Sequence, residues 1–439
     1  MAASELPVLH GYGPAQVDLD KCVHCGLCLN ACPTYRELGL EMDSPRGRVY
    51  QMVKVAEGAM PISESYIEHI ELCLACRGCE SACPSGVPYG RMVEAARAGI
   101  ERQAERPFLA RFLRGLVFRH LLPSRTNLKI AGALLSVYER TGLRGAVQGS
   151  GLLKLMGKLG AAEALAPSPQ PPFFFSEIGK TFPAEGPRRY RVAFLAGCIA
   201  NVFFARLNEA TVRVLRKNGC EVVIPGEQGC CGALHVHAGL REEACTLARR
   251  NIDAVDPAGF DAIITNTAGC GSTLKEYHEL LEHDPAYACK ARAFVAKMRD
   301  ISEFLASVEL NPDLAETPAT VTYQDSCHLA HGQRIRSAPR KLLSAVPGLK
   351  LREMALSDLC CGSAGIYNVV QNEMAMQILG KKMMHVNATE AEWIVTANPG
   401  CMLQLEAGVR RHGRGQRVLH VIEVLDLAYT KTKTRHTTT

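Results

Sequence analysis

The segments CVHCGLCLNACP at 22–33 and CLACRGCESACP at 73–84 repeat one pattern, in which four cysteines are followed by proline. A C-x2-C-x2-C loop reaches three iron corners of a [4Fe–4S] cube, and in two-cluster proteins the fourth cysteine binds the other cube. The spacing therefore predicts two crossed sites. The predicted ligands are Cys22, Cys25, Cys28 and Cys83 for the first cluster, and Cys73, Cys76, Cys79 and Cys32 for the second.

The composition of the chain favours metal binding over disulfides. The 439 residues include 19 cysteines, and the start MAASELPVLHGYG lacks the features of a secretory signal. We therefore expect a cytoplasmic protein, where disulfides are rare. Zinc is the weaker alternative for the two runs, because zinc sites use pairs of cysteines and not a trio plus one. No apolar run reaches the 18 residues that suggest a membrane-spanning helix.

A second repeat occupies the C-terminal part of the chain, where both copies carry Cys-Cys-Gly. The four cysteines of one copy precede those of the other by 129, 130, 130 and 131 residues. All of them follow β-rich runs, so we expect them at the carboxyl ends of neighbouring strands. The residues of this candidate metal or redox site are Cys198, Cys230, Cys231, Cys270, Cys327, Cys360, Cys361 and Cys401.

The pattern of elements predicts an α+β multidomain protein. A helical ferredoxin-like domain is expected at 1–105, with two [4Fe–4S] sites, and 106–187 reads as a basic amphipathic helical segment with a Pro-rich linker. From 188 onward short β-rich runs alternate with helical patterns, which indicates mainly parallel sheets. The two Cys-Cys-Gly α/β domains are placed at 188–308 and 318–430.

The positive charge of the chain is local. Residues 106–160 contain ten Lys or Arg and one acid, whereas the whole chain has a formal charge of +6. Leu109, Phe112, Leu113 and Leu116 recur at helical spacing between the arginines. The interleaving suits a membrane surface, a partner's groove or a buried interface helix better than nucleic acid, and we expect no nucleic-acid partner.

The Cys-Cys-Gly halves resemble the cysteine-rich domains of heterodisulfide reductase and its relatives. In that family a final C-x-x-C supplies a fifth cysteine, but here the matching positions are Thr273 and Gln404. An iron–sulfur cluster, zinc or another metal, and no stable metal all stay open for these halves. His235, His237, His328 and His331 lie next to them in sequence, either as packing residues or to handle protons.

Over nearly its whole length the chain resembles the iron–sulfur subunits of glycolate oxidase (glycolate dehydrogenase). The resemblance rests on DSPRGR, GCCGALHVHAG, SCHLAHGQRIR, CCGSAGIYN and NPGCMLQLEAGVR, together with the two runs. It implies an electron-transfer subunit without catalytic residues, with an FAD-containing catalytic subunit and a second flavin-domain-like subunit as partners. It also implies oxidation of glycolate to glyoxylate and a quinone or membrane acceptor, with a peripheral position at the inner face of the cytoplasmic membrane. The alternatives are a heterodisulfide-reductase-like subunit, or D-lactate or glycerol 3-phosphate as substrate.

The sequence offers no nucleotide site of its own. No G-x-G-x-x-G opens a βαβ unit and no P-loop is present. Electrons must therefore arrive from another protein or cofactor and leave to another, which agrees with the role that the resemblance implies.

Overall fold

The computed structural model describes residues 13–150, 160, 163 and 166–436. Up to residue 149 the described chain is helical. Its α-helices are α1 Gln16–Leu19, α2 Pro33–Leu38, α3 Pro45–Ala56, α4 Glu64–Glu71, α5 Gly78–Ser81, α6 Tyr89–Gln103, α7 Phe108–Gly115, α8 Arg125–Arg140 and α9 Leu143–Gly149. Helix α3 begins where Ser44 accepts a hydrogen bond from the Gly47 amide at 2.9 Å and Pro45 takes the first helical position.

The first Cys-Cys-Gly repeat is built on a five-stranded sheet. Its strands are β1 Thr181–Phe182, β2 Tyr190–Phe194, β3 Cys220–Val223, β4 Ala262–Thr265 and β5 Met298–Asp300. Its helices are α10 Ala200–Phe203, α11 Ala205–Lys217, α12 Ala233–His237, α13 Arg241–Asp253, α14 Ala268–Lys275, α15 Tyr277–Leu280, α16 Ala288–Lys297 and α17 Ile301–Ser307. The strand order is β1-β3-β2-β4-β5, and all neighbours are parallel except β1 and β3.

The second repeat is built on a four-stranded parallel sheet with the order β7-β6-β8-β9. Its strands are β6 Ala319–Tyr323, β7 Leu349–Leu351, β8 Trp393–Thr396 and β9 Arg417–His420. Its helices are α18 Ser337–Ser344, α19 Tyr367–Val370, α20 Asn372–Ala388, α21 Pro399–His412 and α22 Val421–His436, and a π-helix spans His328–Gly332.

One hydrophobic core joins the two repeats. Phe194 and Leu215 of the first repeat and Val321 and Leu425 of the second belong to the same buried cluster. Helix α11 packs on α22, and Arg213 reaches across this contact to Asp426 with two bonds of 3.0 and 2.8 Å. The repeats are therefore held in a fixed orientation, which decides how their cysteines meet.

The expected fold class is confirmed. The six β-rich runs at 191–197, 220–225, 261–269, 320–326, 349–355 and 392–400 overlap β2, β3, β4, β6, β7 and β8, and β2 and β6 begin one residue before their runs. The sequence did not predict β1, β5 or β9, which are only two to four residues long.

In the basic segment, large apolar side chains of helix α7 are exposed to solvent. Phe108, Leu109 and Phe112 of α7 are 74%, 64% and 57% exposed. Two arginines of the same segment, Arg106 and Arg114, are only 22% exposed and both pair with Glu101, at 3.0 and 2.8 Å. Residues 151–159 of this predicted helical segment lie outside the described residues. Among the described helices, none has the length and apolar character needed to cross a bilayer.

Candidate metal centres

The two N-terminal runs form loops with the same backbone conformation. His24 and Gly26 have φ values of 54° and 82°, and the equivalent Ala75 and Arg77 have 50° and 63°. Three of these four residues are not glycine, so the left-handed conformation costs energy and is maintained by the surrounding structure. Such a path turns the loop around its cysteines, which is what a cluster-binding loop requires. Pro33 then starts α2 and leads the chain away from the site.

A small cavity lies at each loop, and the cysteines that line them are crossed between the runs. The first cavity, of about 30 Å³, contacts the first three cysteines of run one and the last of run two, with Cys79 also on its wall. The second, of about 20 Å³, contacts the first three of run two and the last of run one. The structure thus groups Cys22, Cys25, Cys28 and Cys83, and separately Cys73, Cys76, Cys79 and Cys32.

The two loops differ in their access to solvent. Cys25 is exposed, whereas Cys32, Cys73 and Cys79 are buried. Burial is also the main cause that raises the pKa of the Cys79 thiol well above its usual value. A buried thiol of this kind stays neutral until a metal supplies positive charge, so the inner loop suits a permanently bound centre.

A buried cation stands beside the inner loop. Arg48 of α3 is fully buried, and its Nη1 lies 3.9 Å from the Cys32 sulfur. Its Nη2 donates to Asp43 at 3.2 Å and its Nε donates to the His69 carbonyl at 2.7 Å. This positive charge would stabilise thiolates and the negative charge of a cluster. Sequence reasoning missed this residue, because nothing in DSPRGR tells a buried arginine from an exposed one.

All eight Cys-Cys-Gly cysteines line one cavity of about 220 Å³ between the repeats, which we call the cysteine cavity. In both repeats the cysteines follow the three adjacent parallel strands, β3-β2-β4 and β7-β6-β8. In the first repeat the Cys198 and Cys230 sulfurs are 3.4 Å apart, and those of Cys231 and Cys270 are 3.0 Å apart. The structure thus brings together two quartets that the sequence placed in separate domains.

Two thiols of the cysteine cavity, one in each repeat, have a raised pKa and stay neutral. A hydrogen bond with Cys230, followed by burial, raises the pKa of Cys198 well above its usual value. A hydrogen bond with Cys361, again followed by burial, does the same for Cys401. Neutral thiols in apolar surroundings are poor nucleophiles, which argues against free-thiol catalysis in this cavity. Thr273 and Gln404, at the positions of the absent fifth cysteines, are buried and do not line it.

The donors at all of these sites are cysteine thiols, which are soft ligands that both iron–sulfur clusters and zinc accept. In the described part of the chain, no three His, Cys, Asp or Glu side chains have the geometry to hold one metal ion.

The four histidines that the sequence singled out have different surroundings. His328 Nε2 contacts the Ala75 carbonyl at 3.0 Å, and His331 Nδ1 contacts Ser81 Oγ at 2.8 Å, so both hold the second cluster loop. His235 Nε2 meets the Phe118 carbonyl at 2.7 Å and packs there. His237 lines the cysteine cavity.

Comparison with known proteins agrees with this arrangement. Residues 18–87 match the 4Fe-4S dicluster domain, residues 192–275 and 321–406 match the cysteine-rich domain, and residues 109–166 match the linker region of the glycolate oxidase iron-sulfur subunit. The chain is 43% identical over 414 residues to the probable glycolate oxidase iron-sulfur subunit of Bacillus subtilis, covering 93% of each chain. The chain belongs to the glycolate oxidase iron–sulfur subunit family.

Two further relatives define how far this family assignment reaches. The glycolate oxidase iron-sulfur subunit of Escherichia coli is 35% identical over 435 residues, which is 94% of this chain and 95% of that protein. Lactate utilization protein A of Oceanobacillus iheyensis is 30% identical over 237 residues, only 54% of this chain but 96% of that protein. Members of the glycolate oxidase iron–sulfur subunit family are components of an oxidoreductase complex. The chain therefore has an electron-transfer role, binds iron–sulfur clusters and has a catalytic partner subunit.

Proposed function

We propose that this chain carries electrons within a flavin-dependent glycolate dehydrogenase complex. An FAD-containing catalytic subunit oxidises glycolate to glyoxylate, a second flavin-domain-like subunit assists it, and this chain passes the electrons toward a quinone at the inner face of the cytoplasmic membrane. The substrate follows the two relatives that match almost the whole of this chain, because the lactate utilization relative covers only about half of it.

The observation that carries this proposal is the crossed grouping of the eight N-terminal cysteines. Cys22, Cys25, Cys28 and Cys83 are the proposed ligands of the first [4Fe–4S] cluster, and Cys73, Cys76, Cys79 and Cys32 of the second. The clusters would supply one-electron carriers that can accept the electron pair of a flavin one electron at a time. The residues of this chain hold them at fixed positions and set their surroundings.

The geometry also suggests the direction of transfer. The first loop is next to solvent through Cys25, so a partner subunit can approach it. The second loop is buried, and its Leu74 lines the cysteine cavity. We propose that electrons enter at the first loop, move to the second and continue into the cysteine cavity.

We further propose that each quartet of the cysteine cavity holds an iron–sulfur centre. Five of the eight cysteines are buried and three are partly buried, and a metal ion would supply the positive charge that thiolates in such surroundings need. Lys382 supplies part of the needed charge to the second quartet: it is buried, it donates to the Leu356 carbonyl at 2.7 Å, and burial lowers its pKa while Cys361 and Cys360 oppose this.

Iron content tests both proposals on the anaerobically isolated full chain. Two clusters correspond to about eight iron atoms per chain, and filled quartets in the cysteine cavity would raise the count further. Cys25→Ala should lose the first electron paramagnetic resonance (EPR) signal and Cys76→Ala the second, while Cys289→Ala, at an exposed cysteine of the first repeat that lines neither the two loop cavities nor the cysteine cavity, should keep both. Wild-type chain without iron, or unchanged signals in Cys25→Ala and Cys76→Ala, would contradict the N-terminal assignment. A count no higher than eight would contradict only the centres in the cysteine cavity.

A further inference from the structure

A large open cavity lies on the other side of the cysteine cavity's wall, between the ferredoxin-like domain and the first repeat. This outer cavity has a volume of about 520 Å³, and its lining is rich in charge. The charged residues of its lining include Arg77, Glu94, Arg241, Glu276 and Glu279. The electron-transfer role leaves this cluster unexplained.

One contact connects the outer cavity with the cysteine cavity. Glu94 of α6 lines the outer cavity, and its Oε1 lies 3.2 Å from Nδ1 of His237 on α12. His237 lines the cysteine cavity, where its ring centroid is 5.1 Å from that of His328. Both side chains of the Glu94–His237 pair are about one-fifth exposed, at 21% and 19%.

The backbone is built to keep this contact close. Gly239 follows α12 with φ +81°, and a Cβ at this position would lie 2.4 Å from the Arg97 carbonyl of α6. Only glycine permits such an approach. Arg97 in turn donates from Nη1 to the His237 carbonyl at 3.1 Å, which fixes the end of α12 against α6.

The electrostatics make the pair able to hold one mobile proton at neutral pH. Burial raises the pKa of Glu94 to about 7, although Arg77, Arg97 and Arg241 oppose the shift and Glu279 adds to it. Burial likewise raises the pKa of the neighbouring Glu276 to about 7, while its ion pair with Arg77 opposes this. Burial, with Arg97 and Arg77, lowers the pKa of His237 to about 3. The imidazole is therefore neutral, and its Nδ1 has no hydrogen-bond partner among the described residues, although Oε1 of Glu94 lies 3.2 Å away.

We propose that Glu94 and His237 form a proton-uptake pair, through which the arrival of an electron at the inner centres draws a proton from the outer cavity. This inference rests on the proposed function, since it needs the iron–sulfur centres to be present. On reduction the ionised carboxylate of Glu94 takes up one proton from solvent water in the outer cavity, and this proton is held at Oε1 of Glu94, which faces Nδ1 of His237. Only this O–H bond forms.

The physical reason is charge compensation. An added electron makes a buried centre more negative. The low dielectric constant of the interior screens this charge only weakly, so it raises the pKa of nearby groups. A carboxyl group that titrates near neutral pH responds by binding a proton more tightly. Below pH 7 Glu94 is protonated in both redox states, so nothing is taken up. Above pH 7 it is ionised in the oxidised protein and protonated in the reduced one, so reduction takes up a proton.

The test is a redox titration of the anaerobically isolated full chain, followed by EPR between pH 6 and 9. In wild type, the midpoint potential of an inner centre should be flat below pH 7 and then fall by up to about 59 mV per pH unit, the value of a tenfold concentration change for a one-electron couple. Glu94→Gln should abolish the fall and Glu94→Asp should retain it. Glu279→Gln, in the same cavity but 40% exposed, should also retain it.

The outcomes separate this proposal from the one it rests on. A wild-type potential that does not change with pH, or a fall that persists in Glu94→Gln, would overturn the proton-uptake pair while leaving the electron-transfer role intact. A chain without iron would instead overturn the proposed function. Retained iron content and EPR signals in Glu94→Gln would show that the variant folds, so that the loss of the pH dependence reports on the carboxyl group.

Discussion

Replacing Arg48 by glutamine should lower the reduction potential of the second cluster. Arg48 is fully buried, its Nη1 is 3.9 Å from the Cys32 sulfur, and it also donates to Thr34 Oγ1 at 3.1 Å. Reduction adds negative charge to the cluster, and a neighbouring cation stabilises that charge. Removing the cation therefore disfavours the reduced state.

The size of the effect follows from Coulomb's law. A unit charge about 4 Å from another contributes about 4 kcal/mol at an effective dielectric constant of about 20, which is about 170 mV for one electron. The added electron spreads over the cube, whose centre is about twice as far away, so about 2 kcal/mol or 85 mV is the lower figure. We expect the midpoint potential to fall by about 80–170 mV.

The assay is an EPR-monitored redox titration of the full chain, in which the first cluster serves as an internal reference. Arg48→Gln alone leaves Asp43 buried without its cation, which costs about 3–5 kcal/mol of stability. The Arg48→Gln/Asp43→Asn double variant keeps the site neutral and should fold better. Its potential should fall less than that of the single variant, because the nearby negative charge leaves together with the cation.

Arg46 provides the matched control, since it stands in the same DSPRGR motif but at the other loop. Its Nη1 donates to the His24 carbonyl at 3.1 Å, and its side chain is 31% exposed and paired with Glu41. Water and salt screen such a charge, so Arg46→Gln should move the first cluster by less than about 30 mV. An unchanged second-cluster potential in Arg48→Gln would refute the electrostatic reasoning, and so would an equal shift of both clusters.

Three further predictions test the packing and the surroundings of the sites. Gly239→Ala should destabilise the chain by at least about 2 kcal/mol more than Gly415→Ala. Both glycines have φ +81°, but only a Cβ at Gly239 would meet a backbone oxygen. Denaturant unfolding measures the two free energies of unfolding, and an equal decrease in both variants would contradict the prediction. Burial raises the pKa of Asp300 to about 7, so the stability that its protonated carboxyl contributes is present at pH 4 and lost as pH rises through 7. Asp300→Asn should therefore make the free energy of unfolding less dependent on pH in this range. Leu27→Glu, at a residue 60% exposed in the first cluster loop, should slow reduction by the flavin partner at least about tenfold but not reduction by dithionite, whereas Leu134→Glu on α8 should slow neither.

The sequence predicts those parts of the structure that depend on local pattern. Strand β4 is fully buried, as are the last three residues of β2, and both appear as apolar runs, so they were predicted. Strands β5 and β9 contain the charged or polar residues Arg299 and Arg417, and they are too short for a periodicity to appear. β5 pairs with β4 and β9 pairs with β8. Each of these strands forms because the assembled sheet presents an edge to pair with, and the sequence of the strand itself does not show that edge.

The candidate sites also include one that the sequence pattern predicts and one that depends on how the domains pack. The crossed grouping of the N-terminal cysteines is a prediction from spacing, and these cysteines line the cavities beside the two loops. The joint cysteine cavity could not be predicted, because it depends on the core that α11 and α22 share. His235 and His237 are two residues apart in one helix, yet one packs on Phe118 and the other faces Glu94. Only the position of the neighbouring helices distinguishes them.

The two repeats, although alike in sequence, take different roles because different elements pack on them. The second repeat contacts the inner cluster loop: Tyr367 donates to the Leu72 carbonyl at 2.9 Å, and His328 contacts the Ala75 carbonyl. The first repeat instead meets α6 and opens through His237 and Glu94 toward the outer cavity. A duplicated cysteine domain can therefore join an electron path on one side to a proton path on the other. The requirement is that one buried cavity is shared, which the common core of the repeats provides.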